Sequence, residues 1–416
     1  MLVRKHWHVP GLADAVLPLI RTRADLHRWS AANAHGKQMH DAVDVLEAAL
    51  ASHDPSEVLT VTQKAIASAV TVILRADDSS GIIGDALRRL LGLHPQVVPA
   101  AGPPAARLVE WLLDFQLDGR QDFFDVDVVS YASALGPAGV ERYRAALEER
   151  AARLGPASAD EHRWSSSDSH TRFVLEHNAR RFAVLDRDVE AIIRSHARDK
   201  KVAAWLHDTA EALNEIGETD LAIDWARQAS EHTPWHQALR AAEYWCELLA
   251  THRPDQLLDA RWQVFNRQPS SSTAGALHKA AGPAWPDYRD RVLLRLAPAP
   301  REAVLFVLLT LDDVPQAWQL ADDLALTDDN VWDRLARAYE SVDPAATLPV
   351  HARLVESELL ETGAQHYQRA ARRLKRMRAL AERADRTTDV DQLVAEIRQT
   401  HRRRPRLLQE LDRAGL

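Results

Sequence analysis

The feature that most restricts this chain's fold is the spacing of its small and helix-ending residues from Thr171 onward. Within residues 203–234, Ala210, Leu213, Gly217, Ala222, Ala229 and Pro234 follow one another at intervals that fit two antiparallel helices and a stop. Two helix backbones approach closely only where the side chain between them is as small as Ala or Gly, while larger apolar residues fill the space around the crossing. Gly217 suits the left-handed position just past a helix end. Pro234 cannot continue the second helix, because it lacks an N–H and its ring clashes with the preceding turn. Trp332, Leu335, Ala336 and Tyr339 repeat the same logic further along.

These residues follow the tetratricopeptide (TPR) pattern, whose period is about 34 residues. The fit has departures: Trp205 and Trp225 each lie one residue early, and Ala336 stands where the pattern has Gly. Residues 236–269 form a weaker unit whose closing Pro269 lies 35 residues after Pro234. Residues 275–296 and 301–325 read as further degenerate hairpins. The expectation is an all-α fold, an α-solenoid of antiparallel helical hairpins, TPR-like in its C-terminal half. Composition agrees, since only 15 of 416 residues are glycine and Ala and Leu, strong helix formers, are abundant.

The N-terminal part has helical periodicity between short breaks. Val43, Leu46, Ala49 and Leu50 share a face of residues 41–51. Pro55 opens a helix running to Leu74, and Asp77-Asp78-Ser79-Ser80-Gly81 is a capping turn before a helix over 82–93 that ends ahead of Pro95. Residues 97–104 read as a connector. Leu108, Trp111, Leu112 and Phe115 line one face of 107–117, and 137–154 continue as a charged helix. The Ser-, Pro- and Asp-rich stretch 155–170 reads as a linker, giving an N-terminal helical region (1–155) and a repeat region (171–416).

A net charge of −8 argues against nucleic-acid binding over the whole surface. The one cysteine, Cys246, excludes an intramolecular disulfide and a cysteine zinc site. Residues 1–10 lack the apolar core of a signal peptide, and no apolar run approaches the ~20 residues of a membrane span. The expectation is a cytoplasmic protein without a membrane partner.

The histidine pairs His6 and His8, His170 and His177, and His232 and His236 each lack a third ligand for zinc. The carboxylate groups Asp77 with Asp78, Asp122 with Asp125 and Asp127, and Asp186 with Asp188 and Glu190 read as helix caps and as a loop pinned by its apolar neighbours. Nucleophile elbows, Walker loops and dinucleotide fingerprints are absent. The chain is expected to be no enzyme and to need no cofactor or metal. The tryptophans, at helical spacing, are expected in the core.

One charge feature is polarised. Residues 365–416 carry 14 Lys or Arg against 7 Asp or Glu, hence +7, which leaves −15 for the rest of a chain whose net charge is −8. Arg369, Arg372, Arg373 and Arg376 line one helix face, opposite Tyr367, Ala370, Ala371, Leu374 and Met377. Arg402, Arg403, Arg404 and Arg406 follow the next helix. Arg369, Arg372, Arg373, Arg376, Arg402, Arg403 and Arg404 are the partner-binding candidates. They can also neutralise the acidic body or cap a helix C-terminus. Two functional readings follow. The first is a non-catalytic scaffold holding a protein or peptide on the surface of stacked hairpins. The second is a nucleic-acid-associated factor that meets phosphates through the basic C-terminal hairpin, with steep salt dependence.

Several stretches carry a family resemblance: Arg75-Ala-Asp-Asp-Ser-Ser-Gly81, Glu110-Trp-Leu-Leu-Asp114 with Asp122-Phe-Phe124, Leu185-Asp-Arg-Asp-Val189 leading to Ala222-Ile-Asp-Trp-Ala-Arg227, and His401-Arg-Arg-Arg404 with Leu411-Asp-Arg-Ala-Gly-Leu416. Together they resemble the region downstream of the zinc finger in actinobacterial SWIM zinc-finger family proteins, and a related bacterial domain of unknown function. A SWIM finger needs three cysteines and a histidine in a C-x-C…C-x-H arrangement, so a chain with Cys246 alone lacks the module. The resemblance implies a helical-repeat body of uncharacterised function, and whatever the finger recognises in its relatives is not carried over.

Overall fold

The computed structural model describes residues 11–118, 121–154, 168–234 and 237–416. The fold is all-α, an α-solenoid of hairpins, with no β-strand among the described residues; Leu26 and Ala76 share one isolated bridge. No described helix is long and apolar enough to cross a membrane. The chain divides into two compact units, Met1–Trp225 and Ala226–Leu416.

In the first unit, local chemistry fixes where helices begin. The Asp54 carboxylate accepts hydrogen bonds from the Ser56 and Glu57 amides at the start of α3 (Pro55–Ile73), and Pro55 occupies a first turn that needs no intrahelical N–H. Before it lie α1 (Leu12–Ile20) and α2 (Trp29–Ala49), the second reaching further toward the N-terminus than its apolar periodicity indicated. After it comes α4 (Ile82–Ala101), which corrects the expected stop before Pro95 and the connector at 97–104. The helix runs through Pro95 and Pro99. Each interior proline costs about 3 kcal/mol, but Val97 and Val98 are buried on this extension, each worth about 1.5–3 kcal/mol. His94 adds a stack on Trp111 with ring centroids 3.9 Å apart. Tertiary burial offsets the local cost of the prolines.

Gly36, inside α2, is a poor helix residue with a packing reason. A Cβ at this position would collide with Cγ2 of Ile82 at the start of α4, so the glycine lets the two helices close on each other.

α5 (Ala105–Leu113) widens into a π-helical turn at Asp114–Asp118. α6 (Val128–Leu154) is kinked at Gly136, whose φ of 61° breaks the helix before Pro137 restarts it. α7 (Ser169–Leu185) packs on α6, and a buried polar ring pins them together. Gln116 Nε2 donates to Tyr143 Oη at 2.5 Å, Tyr143 Oη donates to Asn178 Oδ1 at 2.9 Å, and Asn178 Nδ2 donates to Gln116 Oε1 at 3.2 Å. All three residues are buried. The ring ties α7 to the N-terminal helices, and α7, α8 (Val189–Ile192) and α9 (Ala203–Glu215) lie in their unit, whereas their sequence pattern grouped them with the later hairpins. Most of the stretch read as a linker, 155–167, lies outside the described residues.

Gly217, φ 85°, ends α9 as expected, with the Glu218 amide donating back to the Leu213 carbonyl before α10 (Thr219–Ser230) begins. Ala210 and Ala222 are fully buried.

The second unit contains α11 (Leu239–His252), α12 (Leu257–Arg267), α13 (Ser271–Ala281), α14 (Pro286–Leu296), α15 (Pro300–Leu309), α16 (Val314–Asp323), α17 (Asp329–Tyr339), α18 (Pro344–Leu360), α19 (Ala364–Arg383), α20 (Thr387–Thr400) and α21 (Pro405–Ala414). Most of these helices pack chiefly on those next to them in sequence, the arrangement of a repeat array, while α21 packs on α19. The α16–α17 hairpin shows the pattern at work. Leu335 and Ala336 have no exposed surface, and Trp332 is buried with its indole N–H donating to the Leu326 carbonyl at 2.7 Å. Trp318 stacks on Tyr339 at 4.3 Å and meets Trp332 edge-on at 5.4 Å. Among the described tryptophans, Trp29 alone is largely exposed, at 60%.

Gly36→Ala is expected to lower stability in urea denaturation, even though Ala gains roughly 1 kcal/mol over Gly in a helix interior. Ala336→Leu is expected to cost about 1–3 kcal/mol by overpacking the α16–α17 crossing.

Candidate functional site

α19 is strongly two-faced. Tyr367, Ala370, Ala371, Leu374 and Met377 enter a core shared with α18, α20 and α21. The basic face behind them is largely committed within the protein. Arg369 bonds Glu358 of α18 at 2.8 Å, and Arg373 bonds Asp333 of α17 at 2.5 Å. Arg376 grips Glu340, at the end of α17, with both Nε and Nη2 at 2.6 Å.

These contacts form one network. Arg373 also donates to His351 Nδ1 at 3.2 Å, and His351 lies 2.9 Å from Glu340 through Nε2. Because Arg only donates, Nδ1 must accept, so the proton sits on Nε2 and is given to Glu340. His351 is fully buried, and burial holds its pKa below the ordinary histidine value against the pull of Glu340. For Glu340, burial works to raise the pKa, but hydrogen bonds from Arg376 and His351 prevail and hold it below the carboxylate range. Asp333 behaves likewise, with Arg373 and Arg337 overcoming burial. Three of the four arginines picked out on α19 thus bind its neighbours α17 and α18.

The remaining cations face solvent. Arg372, Lys375, Arg402, Arg403 and Arg406 are exposed and have no ion-pair partner among the described residues. Arg404 is half-buried and donates from Nη1 to the Leu359 carbonyl at 2.8 Å, capping the last turn of α18. Gln399 to Arg404 line a shallow depression along the α20–α21 turn.

The other sequence candidates have structural placements. Asp78 accepts from the Ile83 and Gly84 amides at the start of α4, and Asp77 from the Ser79 amide. Asp127 caps α6 through the Val129 amide, Asp188 caps α8 through the Ala191 amide, and Asp186 pairs with Arg144. His170 bonds the Gln116 carbonyl at 2.7 Å. His6, His8 and His236 lie outside the described residues. Among those described, no three His, Cys, Asp or Glu side chains are grouped to hold a metal ion. Cys246 is buried, which pushes its thiol up to about 11 and keeps it protonated.

A polar cleft in the first unit escaped the sequence reading. His177, Arg180 and Arg181 of α7 face His196, Asp208 and Glu215. Arg181 forks between Asp127 and Glu215 at 2.7–2.8 Å, and burial lowers the pKa of His196 to about 4. The Arg181–Asp127 pair joins residues 54 positions apart, so no local pattern announces it. A loop anchor was missed too. Gln121 accepts from the Phe123 and Phe124 amides and donates to the Phe115 and Phe124 carbonyls, which buries Phe124 and leaves Phe123 exposed.

The model of a family of unknown function (DUF6880) matches residues 17–407. This agrees with the resemblance to a bacterial domain of unknown function, while the SWIM zinc-finger resemblance has no counterpart in it. Among curated proteins none matches the chain. Among solved structures, a circular tandem repeat protein with novel repeat topology and enhanced subunit contact surfaces is similar over 97% of this chain and 98% of its own, at 13% identity and a TM-score of 0.16.

Glu340→Gln is expected to cost about 1.5–3 kcal/mol, the range for hydrogen bonds to charged groups, since Arg376 is partly solvated. The sign of the pH effect follows from the shifts. His351 titrates lower when folded than its ordinary 6.5, so its contribution is present above pH 6.5 and falls as acid is added. Glu340 and Asp333 also titrate low, and their contribution is lost at still lower pH. Thermal melts should show stability declining from pH 6.5 downward, and in Glu340→Gln the limb should flatten only in the carboxylate range, below the ordinary glutamate value of 4.5.

Proposed function

Given that the chain belongs to the DUF6880 family of unknown function, we propose from its own architecture that it is a non-catalytic helical-repeat scaffold holding a protein or peptide partner in the cytoplasm. The supporting observation is the neighbour-on-neighbour packing of hairpins through buried small residues, Ala336 among them. Stacking of this kind leaves extended helix faces that do not take part in the core, and such faces serve as binding surfaces in repeat proteins. The chemistry of the polar clusters supports the same reading. Their charged groups are engaged with one another, as Glu340 is with Arg376 and Asp127 with Arg181.

A second reading, contact with nucleic-acid phosphates, draws support from the five exposed cations Arg372, Lys375, Arg402, Arg403 and Arg406. Within the arginines first singled out, this narrows the candidates to Arg372, Arg402 and Arg403, since Arg369, Arg373, Arg376 and Arg404 have internal partners.

Affinity capture of the full chain from its native host, followed by cross-linking mass spectrometry, is expected to return a reproducible protein partner with cross-links confined to one set of helices. Capture of nothing reproducible overturns the scaffold reading. For the second reading, a mobility shift with duplex DNA or RNA at low salt should appear and collapse as salt rises. Its absence at low salt removes that reading.

A further inference from the structure

An exposed apolar side chain lies beside a group of cations without ion-pair partners among the described residues. Arg404 holds the Leu359 carbonyl, which brings the α20–α21 turn against the C-terminal end of α18. The next residue, Leu360, is 81% exposed, more than any other large apolar residue described. Arg402 and Arg403 project from the same turn, and Arg406 sits in the first turn of α21. That first turn has no acidic residue and no side-chain cap, although the positive end of a helix favours carboxylates and disfavours cations. Like charges are therefore gathered where the local structure gains nothing from Arg406, next to a leucine that the core does not use.

We propose that the α20–α21 turn and the end of α18 form a docking site for an acidic peptide segment carrying one large apolar side chain. Carboxylates of the segment meet Arg402, Arg403 and Arg406, and the apolar side chain covers Leu360. Glu361, exposed beside Leu360, bounds the site and sets the end at which the acidic run stops. The proposal rests on the scaffold reading and names the partner's chemistry and its place.

The observations favour peptide over nucleic acid for two reasons. The stripe on α19 that would have extended a track for successive phosphates is held by Glu358, Asp333 and Glu340. The unpaired arginines here are instead confined to one turn. A phosphate backbone also gains nothing from covering Leu360, whereas desolvating an exposed leucine is favourable for a peptide.

The probe is a fluorescein-labelled synthetic peptide of Asp and Glu interrupted by one Leu, with binding to the full chain read by fluorescence anisotropy. The triple variant Arg402→Glu, Arg403→Glu, Arg406→Glu is expected to weaken binding at least about tenfold, the size of effect that separates a docking contact from diffuse attraction. Leu360→Ser should weaken it about threefold to tenfold, and a peptide with Ser for Leu should lose the same factor without adding to Leu360→Ser. Lys375→Glu, an exposed charge outside the site, should change binding by less than about twofold. If the triple variant melts below wild type, Arg402→Ser with Arg403→Ser replaces it. Unchanged binding in the arginine variants overturns the site. So does a wild-type chain that ignores the peptide, or one that prefers duplex DNA and is indifferent to Leu360→Ser. In native-host capture, a partner kept by the triple variant sinks this site but leaves the scaffold reading standing, whereas no partner for wild type sinks the reading itself.

Discussion

How closely two helices can approach is decided by the smallest side chains between them, and that steric limit organises this chain. Where Gly36 faces Ile82, and where Ala210, Ala222 and Ala336 are shut from solvent, backbones come near enough for the larger residues around them to interdigitate. The apolar clusters of both units grow outward from such crossings. The aromatic set Trp318, Trp332 and Tyr339 illustrates the division of labour: Ala336 sets the spacing, and the rings fill what it leaves.

Electrostatics is layered on this frame. An acidic body and a basic C-terminal hairpin occur in one chain, and much of the attraction between them is spent internally. Arg369, Arg373 and Arg376 tie α19 to α18 and α17, and His351 completes the arrangement as a neutral ring that both accepts and donates. In the first unit the neutral ring of Gln116, Tyr143 and Asn178 does the equivalent work without charge. The first is partly solvated and the second buried, but in both the members satisfy one another, the condition under which such groups specify a packing rather than weaken it.

What the sequence made legible follows from the range of each signal. Helical periodicity, the capping role of Asp54 and the stop at Gly217 act over a few residues and can be read directly. The path of α4 through Pro95 and Pro99 cannot, because a local penalty is offset by tertiary burial of Val97 and Val98. The same holds for the surface. The amphipathic pattern of α19 identifies its basic face, but partners as distant in sequence as Asp333 and Glu340 decide which arginines remain available. The pairing of Arg181 with Asp127 and the exposure of Leu360 likewise depend on neighbours brought close only by folding.

Serial packing has a consequence for the end of the chain. α20 and α21 both rest on α19, and Arg404 ties the turn between them to the end of α18. Opening this pair exposes chiefly the surface it shares with α19 and the end of α18, so its free energy of local unfolding is a fraction of that of the whole array. The two helices can therefore loosen or tighten together while the hairpins before them keep their register.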